Sequence, residues 1–186
     1  MPESEPINIV VAMNFSDDIL NSLREISPRL KIESYSGAVP EKAWANVEIL
    51  YTGNTFPKPE QAPHLRWIQL HSAGVNHAMR EPILQSGDIE VTTVSGIHAV
   101  PMSEFSIAMM LAFAYNMPKM FELQAQSKWL DNRDDFFKPT PLRGQTLGIV
   151  GYGSIGRELA RAADGLGMKV LATKRDVMHP ADDEIY

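Results

Sequence analysis

The stretch Thr146-Leu-Gly-Ile-Val-Gly-Tyr-Gly-Ser-Ile-Gly156 decides how this chain is read. An apolar run of strand length leads into a glycine-rich turn and then into a helix start. Gly151, Gly153 and Gly156 fall on the G-x-G-x-x-G spacing of a dinucleotide site. Each glycine meets a separate demand. Gly151 allows the tight turn, Gly153 allows close approach of a pyrophosphate, and Gly156 lets the helix pack on its strand. The free N–H groups and the positive dipole end of that helix then face the phosphates, with Ser154 and Ile155 as the donors. Glycine-rich turns also arise by chance and in methyltransferases, so context matters. Here residues 157–166 continue as a helix with Ile155, Leu159, Ala162 and Leu166 as its apolar face, and Gly165 and Gly167 close it. Met168-Lys-Val-Leu-Ala-Thr173 follows as the next parallel strand. The reading is a nucleotide-binding βαβ unit.

The end of that second strand selects the dinucleotide. An NAD site places Asp or Glu there, about 20 residues past the glycines, to bind the ribose hydroxyls. This strand ends in Thr173-Lys174-Arg175, and no carboxylate appears before Asp176. Lys174 and Arg175 offer the charge and donors that a 2′-phosphate needs, so NADP(H) is favoured over NAD(H). The competing reading is a strand end carrying solvated basic side chains.

Working outward, the first hundred residues alternate strand and helix. Strands are expected at 7–12, 31–35, 47–51, 65–70 and 89–94. Helices are expected at 16–25, with Ser16 as N-cap and Asp17 and Asp18 on its dipole, at 41–46 and at 77–85. Such alternation means a parallel sheet with helices on both faces. Then Pro101 suits a first helical turn and Glu104 reinforces that end. Residues 105–115 are apolar nearly all round and are expected to be buried on several sides. Pro118 should break or kink this helix, a more polar arm runs to Trp129, and residues 131–141 form a loop. These changes of texture put one domain at 1–100 and a second at 101–186.

The bulk composition narrows the function classes. The chain has 186 residues, 44% of them hydrophobic and 22% charged, enough to bury a core. A net charge of −6 argues against nucleic acid or an anionic membrane as partner. With no cysteine, disulfides and thiolate metal sites are excluded, which fits a reducing cytoplasm. No basic leader precedes the first strand, and the longest apolar stretch, 105–117, is too short to span a bilayer. A soluble, cytoplasmic protein is expected.

Three blocks make the chain similar to the D-isomer-specific 2-hydroxyacid dehydrogenase family. They are Leu65-Arg-Trp-Ile-Gln-Leu-His-Ser-Ala-Gly-Val75, Gly96-Ile-His-Ala-Val-Pro-Met-Ser-Glu-Phe105 and Leu142-Arg-Gly-Gln-Thr-Leu-Gly-Ile-Val-Gly-Tyr-Gly-Ser-Ile-Gly156. The resemblance covers nearly the whole chain. It implies an α/β architecture: a flavodoxin-like parallel-sheet substrate domain plus the first βαβ portion of a Rossmann-type nucleotide-binding domain, incomplete at its C-terminal side. It also implies hydride transfer between NAD(P) and a small D-2-hydroxy acid or 2-oxo acid, of the glyoxylate or hydroxypyruvate reductase type, and a homodimer paired through the nucleotide domains. The second block departs from the family's usual form at His98 and at Ser103-Glu104-Phe105.

The resemblance puts the substrate carboxylate on the loop Ala73-Gly74-Val75, where successive backbone N–H groups at a strand end can make an anion nest. The alternative is an ordinary turn using the conformational freedom of Gly74. Met102 falls at the family's position beside the nicotinamide, or else is core packing. The family's catalytic Arg, Glu and His lie downstream of the second nucleotide-domain strand, so no catalytic residue is expected in this chain and the 186 residues alone are expected to be inactive. His71, His77 and His98 flank the loop and the crossover, but lone histidines are more often structural. The other reading is a truncated or corepressor-like dinucleotide-binding module acting through protein partners.

Overall fold

A computed structural model describes residues 5–85, 87–132 and 138–174. The chain divides into two compact units, Met1–Ser95 and Gly96–Tyr186.

In the first unit, strands β1 (Ile7–Ala12), β2 (Leu30–Ser34), β3 (Ile49–Thr52), β4 (Trp67–Leu70) and β5 (Glu90–Thr92) form one sheet in the order β2-β1-β3-β4-β5. All its pairings are parallel. This is the flavodoxin-like order, with a topological switch point between β1 and β3. Helices α1 (Asp17–Glu25) and α2 (Glu41–Trp44) make two of the crossovers. Register aligns Val10 with Leu50 and Leu50 with Ile68, and Ala12 with Thr52 and Thr52 with Leu70. Because side chains alternate across a strand, these six lie on one face. That face is sealed by Trp44, Val47, Ala62, Ala78 and Ile83. The opposite face carries Ile49, Tyr51, Trp67 and Gln69, all half-buried. Val11, which pairs with Tyr51 on this face, is 1% exposed and Leu20 of α1 is buried as well, so this face is closed over β1 and partly covered over β3 and β4. On the same face Trp67 Nε1 donates to Thr92 Oγ1 (2.7 Å), whose hydroxyl donates to Gln69 Oε1 (2.6 Å).

Two local expectations are corrected. Ser16 stands at the N-cap of α1, but its side chain makes no cap bond; its carbonyl accepts the N–H of Leu20 instead. The expected helix at 77–85 is a run of turns followed by a 3-10 segment, Pro82–Gln85. Pro82 accounts for the break: without an N–H and with a fixed φ, it cannot continue an α-helix begun at His77.

The second unit contains α3 (Ala99–Ala114), α4 (Met117–Ala125), β6 (Thr146–Val150), α5 (Ser154–Gly165) and β7 (Lys169–Thr173). Strand β6 pairs with β7 in parallel, Thr146 opposite Lys169 and Val150 opposite Thr173. Leu147, Ile149 and Val170 face α5 and pack with Tyr152, Leu159 and Ala160. The other face is bare: Val150 is 95% exposed and Leu171 66%. The fully buried residues of α5 are Gly156, Ala160 and Ala163; of the expected row Leu159 packs beside them, while Ile155 is more than a third exposed. Small residues occupy that face because it lies close on β6 and the glycine turn: a Cβ on Gly156 would meet the Gly151 carbonyl and Ile149, and Ala160 packs with Ile149 and Tyr152.

Helix α3 also corrects expectation. Only Ser103 is fully buried, although the helix is apolar all round; Val100, Met102, Phe105, Met109 and Phe113 are exposed. The helix lacks a polar face, as its composition implies, but among the described elements only α5 runs along it and α4 touches it, which leaves much of its circumference uncovered. Pro101 lies in its first turn as expected, whereas Glu104 falls a turn too far along to cap it. The chain turns at Asn116, in the left-handed region at φ 53°, and Pro118 then sits in the first turn of α4. Asn tolerates that backbone better than other non-glycine residues, so Asn116, not the proline, separates the two helices.

Candidate functional site

The glycine turn follows directly from β6. Gly151 has φ +99°, and its N–H bonds the carbonyl of Thr173, clipping the turn to the end of β7. Gly153 is the N-cap of α5, and its carbonyl accepts the N–H of Arg157 (3.0 Å). The N–H groups of Ser154, Ile155 and Gly156 thus precede the first bonded position of the helix and have no intrahelical acceptor. No side chain caps them, and the first turn of α5 holds no acid. A Cβ on Gly153 would meet nothing within 4 Å, so the space above the turn is open. On Gly156 a Cβ would lie 2.5 Å from the Gly151 carbonyl oxygen and 3.2 Å from Ile149 Cγ2. One glycine leaves room outside and the other closes the packing inside. A row of free donors at a positive dipole end, with open space before it, suits a pyrophosphate. Tyr152, between the first two glycines, is an anchor that the motif spacing does not reveal. It is buried against Ile149 and Ala160 and holds the turn to the core.

The expected 2′-phosphate residues stand at the end of β7. Lys174 follows the strand and is exposed; Arg175 lies outside the described residues. Met102, on α3, is 45% exposed.

In the first unit the loop after β4 is tied down from several directions. Ser72 Oγ donates to the Gly74 carbonyl (2.7 Å), and the N–H groups of Ala78 and Met79 bond the Val75 carbonyl. The ring of His77 bonds the Gly53 carbonyl through Nε2 (2.9 Å), which joins this loop to the one after β3. There the hydroxyl of Thr52, fully buried, accepts the N–H of Thr55 and donates to its carbonyl. The N–H groups of Ala73, Gly74 and Val75 have no acceptor among the described residues. Gly74 is not at positive φ, and a Cβ there would meet nothing within 4 Å. Backbone freedom is therefore not why glycine stands at 74; what its missing side chain leaves is empty space beside unpaired donors. Of the three weighed histidines, His71 bonds Tyr51, His77 bonds Gly53, and His98 is exposed at the N-cap of α3 without a side-chain cap bond.

Residues 107–185 match the family model described as D-isomer specific 2-hydroxyacid dehydrogenase, NAD binding domain. The chain is 31% identical over 134 residues to a hydroxypyruvate reductase of Blautia hydrogenotrophica, covering 68% of this chain and 41% of that protein. It is 31% identical over 130 residues to a glyoxylate reductase of Thermococcus litoralis, covering 68% and 39%. Among solved structures, a D-isomer specific 2-hydroxyacid dehydrogenase family protein of Aeromonas salmonicida superposes with a TM-score of 0.76 at 28% identity, over 92% of this chain and 54% of that one. The matched region spans about two fifths of the length of the two curated relatives. By the matched nucleotide-domain model and these relatives, the chain belongs to the D-isomer-specific 2-hydroxyacid dehydrogenase family.

Proposed function

We propose that this chain carries the substrate-holding and cofactor-holding parts of an NAD(P)-dependent oxidoreductase acting on a small D-2-hydroxy acid and its 2-oxo partner. Bound nicotinamide supplies or accepts the hydride. The residues of this chain bind and orient: Ser154 and Ile155 donate backbone N–H groups to the pyrophosphate, and Ala73, Gly74 and Val75 donate theirs to the substrate carboxylate. Lys174 and Arg175 favour NADP(H), and Met102 lines the nicotinamide side. No catalytic residue is assigned within the chain; His71 and His77 bond Tyr51 and Gly53. The observation that carries this reading is the glycine turn, with open space at Gly153 and tight packing at Gly156.

The exposed apolar side chains of α3 and α4, Phe105, Phe113 and Phe121 among them, support a homodimer paired through this region. Among the described residues no helix is long and apolar enough to cross a membrane, and the lack of cysteines fits a reducing cytoplasm.

The test is NADPH titration of the 186-residue chain and its Gly153→Ala variant by calorimetry, with circular dichroism as the control for folding. A methyl at 153 meets no protein atom within 4 Å, so the fold should survive while affinity falls at least about tenfold. Equal affinity in both proteins would end the nucleotide reading.

A further inference from the structure

A polar cavity lies at the opposite edge of the first unit's sheet from the 73–75 loop. It has a volume of about 290 Å³ and is walled by Glu5, Arg29, Asn46, Glu48, His64 and Arg66, together with the start of β1. These residues precede or begin β1, β2, β3 and β4, so they gather at the N-terminal ends of the strands. At about 3.3 Å per residue, strands of this length put roughly 13–20 Å between the two edges. This cavity has no part in the proposed reaction.

Both arginines of its wall keep donors to spare. Glu48 is engaged through both oxygens: Oε1 accepts the backbone N–H of Asn8 (3.1 Å) and Oε2 accepts Nε of Arg66 (3.4 Å). That pairing uses the Nε of Arg66 and leaves its two terminal nitrogens without a protein acceptor among the described residues. Arg29 is held in the same way, with Nε on the Glu5 carbonyl (2.9 Å) and its terminal nitrogens uncommitted among the described residues. The side chains of His64 and Asn46 add further donors to the same wall. The one uncommitted carboxylate of the wall is Glu5, exposed at the rim. Two guanidinium groups fixed through Nε, with their forked ends spare, are suited to hold oxygens of a planar or tetrahedral anion.

We propose that this cavity binds a small oxyanion, the phosphate or carboxylate group of a metabolite, through Arg29 and Arg66. A ligand bound only by the folded unit stabilises it, so occupancy bears on the stability of the substrate-holding unit rather than on chemistry.

The experiment titrates the 15N-labelled 186-residue chain with inorganic phosphate and, separately, with malonate, at constant ionic strength held with sodium chloride. Saturable amide shifts are expected at residues 7–8, 29, 46–48 and 64–66 with either anion, and the tighter one names the source. Arg29→Gln with Arg66→Gln should weaken binding at least about tenfold. Glu5→Gln, at an exposed position that leaves the fold alone, should tighten it about twofold by removing the rim charge. No saturable shift with either anion, shifts confined to other residues, or unchanged binding in the double variant and in Glu5→Gln would overturn the proposal.

Discussion

The hydroxyl of Tyr51 lies 2.7 Å from Nδ1 of His71, linking the end of β3 to the first residue after β4. The two rings and that of Phe15, just past β1, form an aromatic group with centroids 5.1 to 6.3 Å apart. Three strand ends thus meet at the switch point of the sheet, immediately before the loop whose N–H groups are unpaired. Burial raises the pKa of the Tyr51 hydroxyl above its ordinary 10.0.

Tyr51→Phe removes this hydrogen bond and keeps the ring contacts. Urea unfolding at neutral pH should show a loss of about 0.5–1 kcal/mol, at the lower end because the pair is exposed. The alkaline limb adds a second readout. A group with a raised folded-state pKa contributes stability that is complete below the unfolded value, here about 10, and is lost as pH climbs through the folded value. The parent should therefore lose stability above about pH 10 more steeply than Tyr51→Phe. Tyr35, raised chiefly by its hydrogen bond to Glu33, contributes a slope common to both proteins. Identical slopes would mean that Tyr51 titrates as it does in the unfolded chain.

Gly156→Ala should damage the fold itself. The new methyl would stand 2.5 Å from a backbone oxygen that cannot rotate away. We expect a net loss of about 1–3 kcal/mol in thermal or urea unfolding, despite the better helix propensity of alanine. A neutral result would show that the turn yields, and that its tight packing is not what fixes α5 on β6.

Ser103→Ala should act in the opposite direction. The side chain is 2% exposed and its hydroxyl has no hydrogen-bond partner among the described residues. Burying an unsatisfied hydroxyl costs about 1–3 kcal/mol, so its removal should raise stability by about 1 kcal/mol. Differential scanning calorimetry reads the change as a higher Tm; a lower Tm would reveal a partner for that hydroxyl.

Arg175→Ala tests the cofactor preference. Loss of one charge-assisted contact should weaken NADPH by about 1.5–3 kcal/mol and leave NADH nearly unchanged. Equal losses for the two, or a parent that binds NADH more tightly, would refute the preference for NADP(H).

The sequence by itself determined what local chemistry controls. Apolar runs separated by turn residues placed each described strand to within a few residues. The spacing of Gly151, Gly153 and Gly156 announced strand, turn and helix, because each glycine meets a steric demand set by its near neighbours in the chain. Alternation of strand and helix implied a parallel sheet, and the family resemblance implied its flavodoxin-like type. The tertiary structure decided what depends on distant neighbours. The strand order places β1 between β2 and β3, and that order brings Phe15, Tyr51 and His71 together. It also gathers Glu5, Arg29, Glu48 and Arg66 at the other edge, where no motif spacing could reveal a cavity. The apolar period of α5 indicated the row of Ile155, but the fully buried residues are Gly156, Ala160 and Ala163, since the helix comes down close on β6 and the turn before it. Apolar composition likewise suggested that α3 is buried on several sides, yet burial is set by how many elements surround a helix, and among the described ones only α5 and α4 meet it.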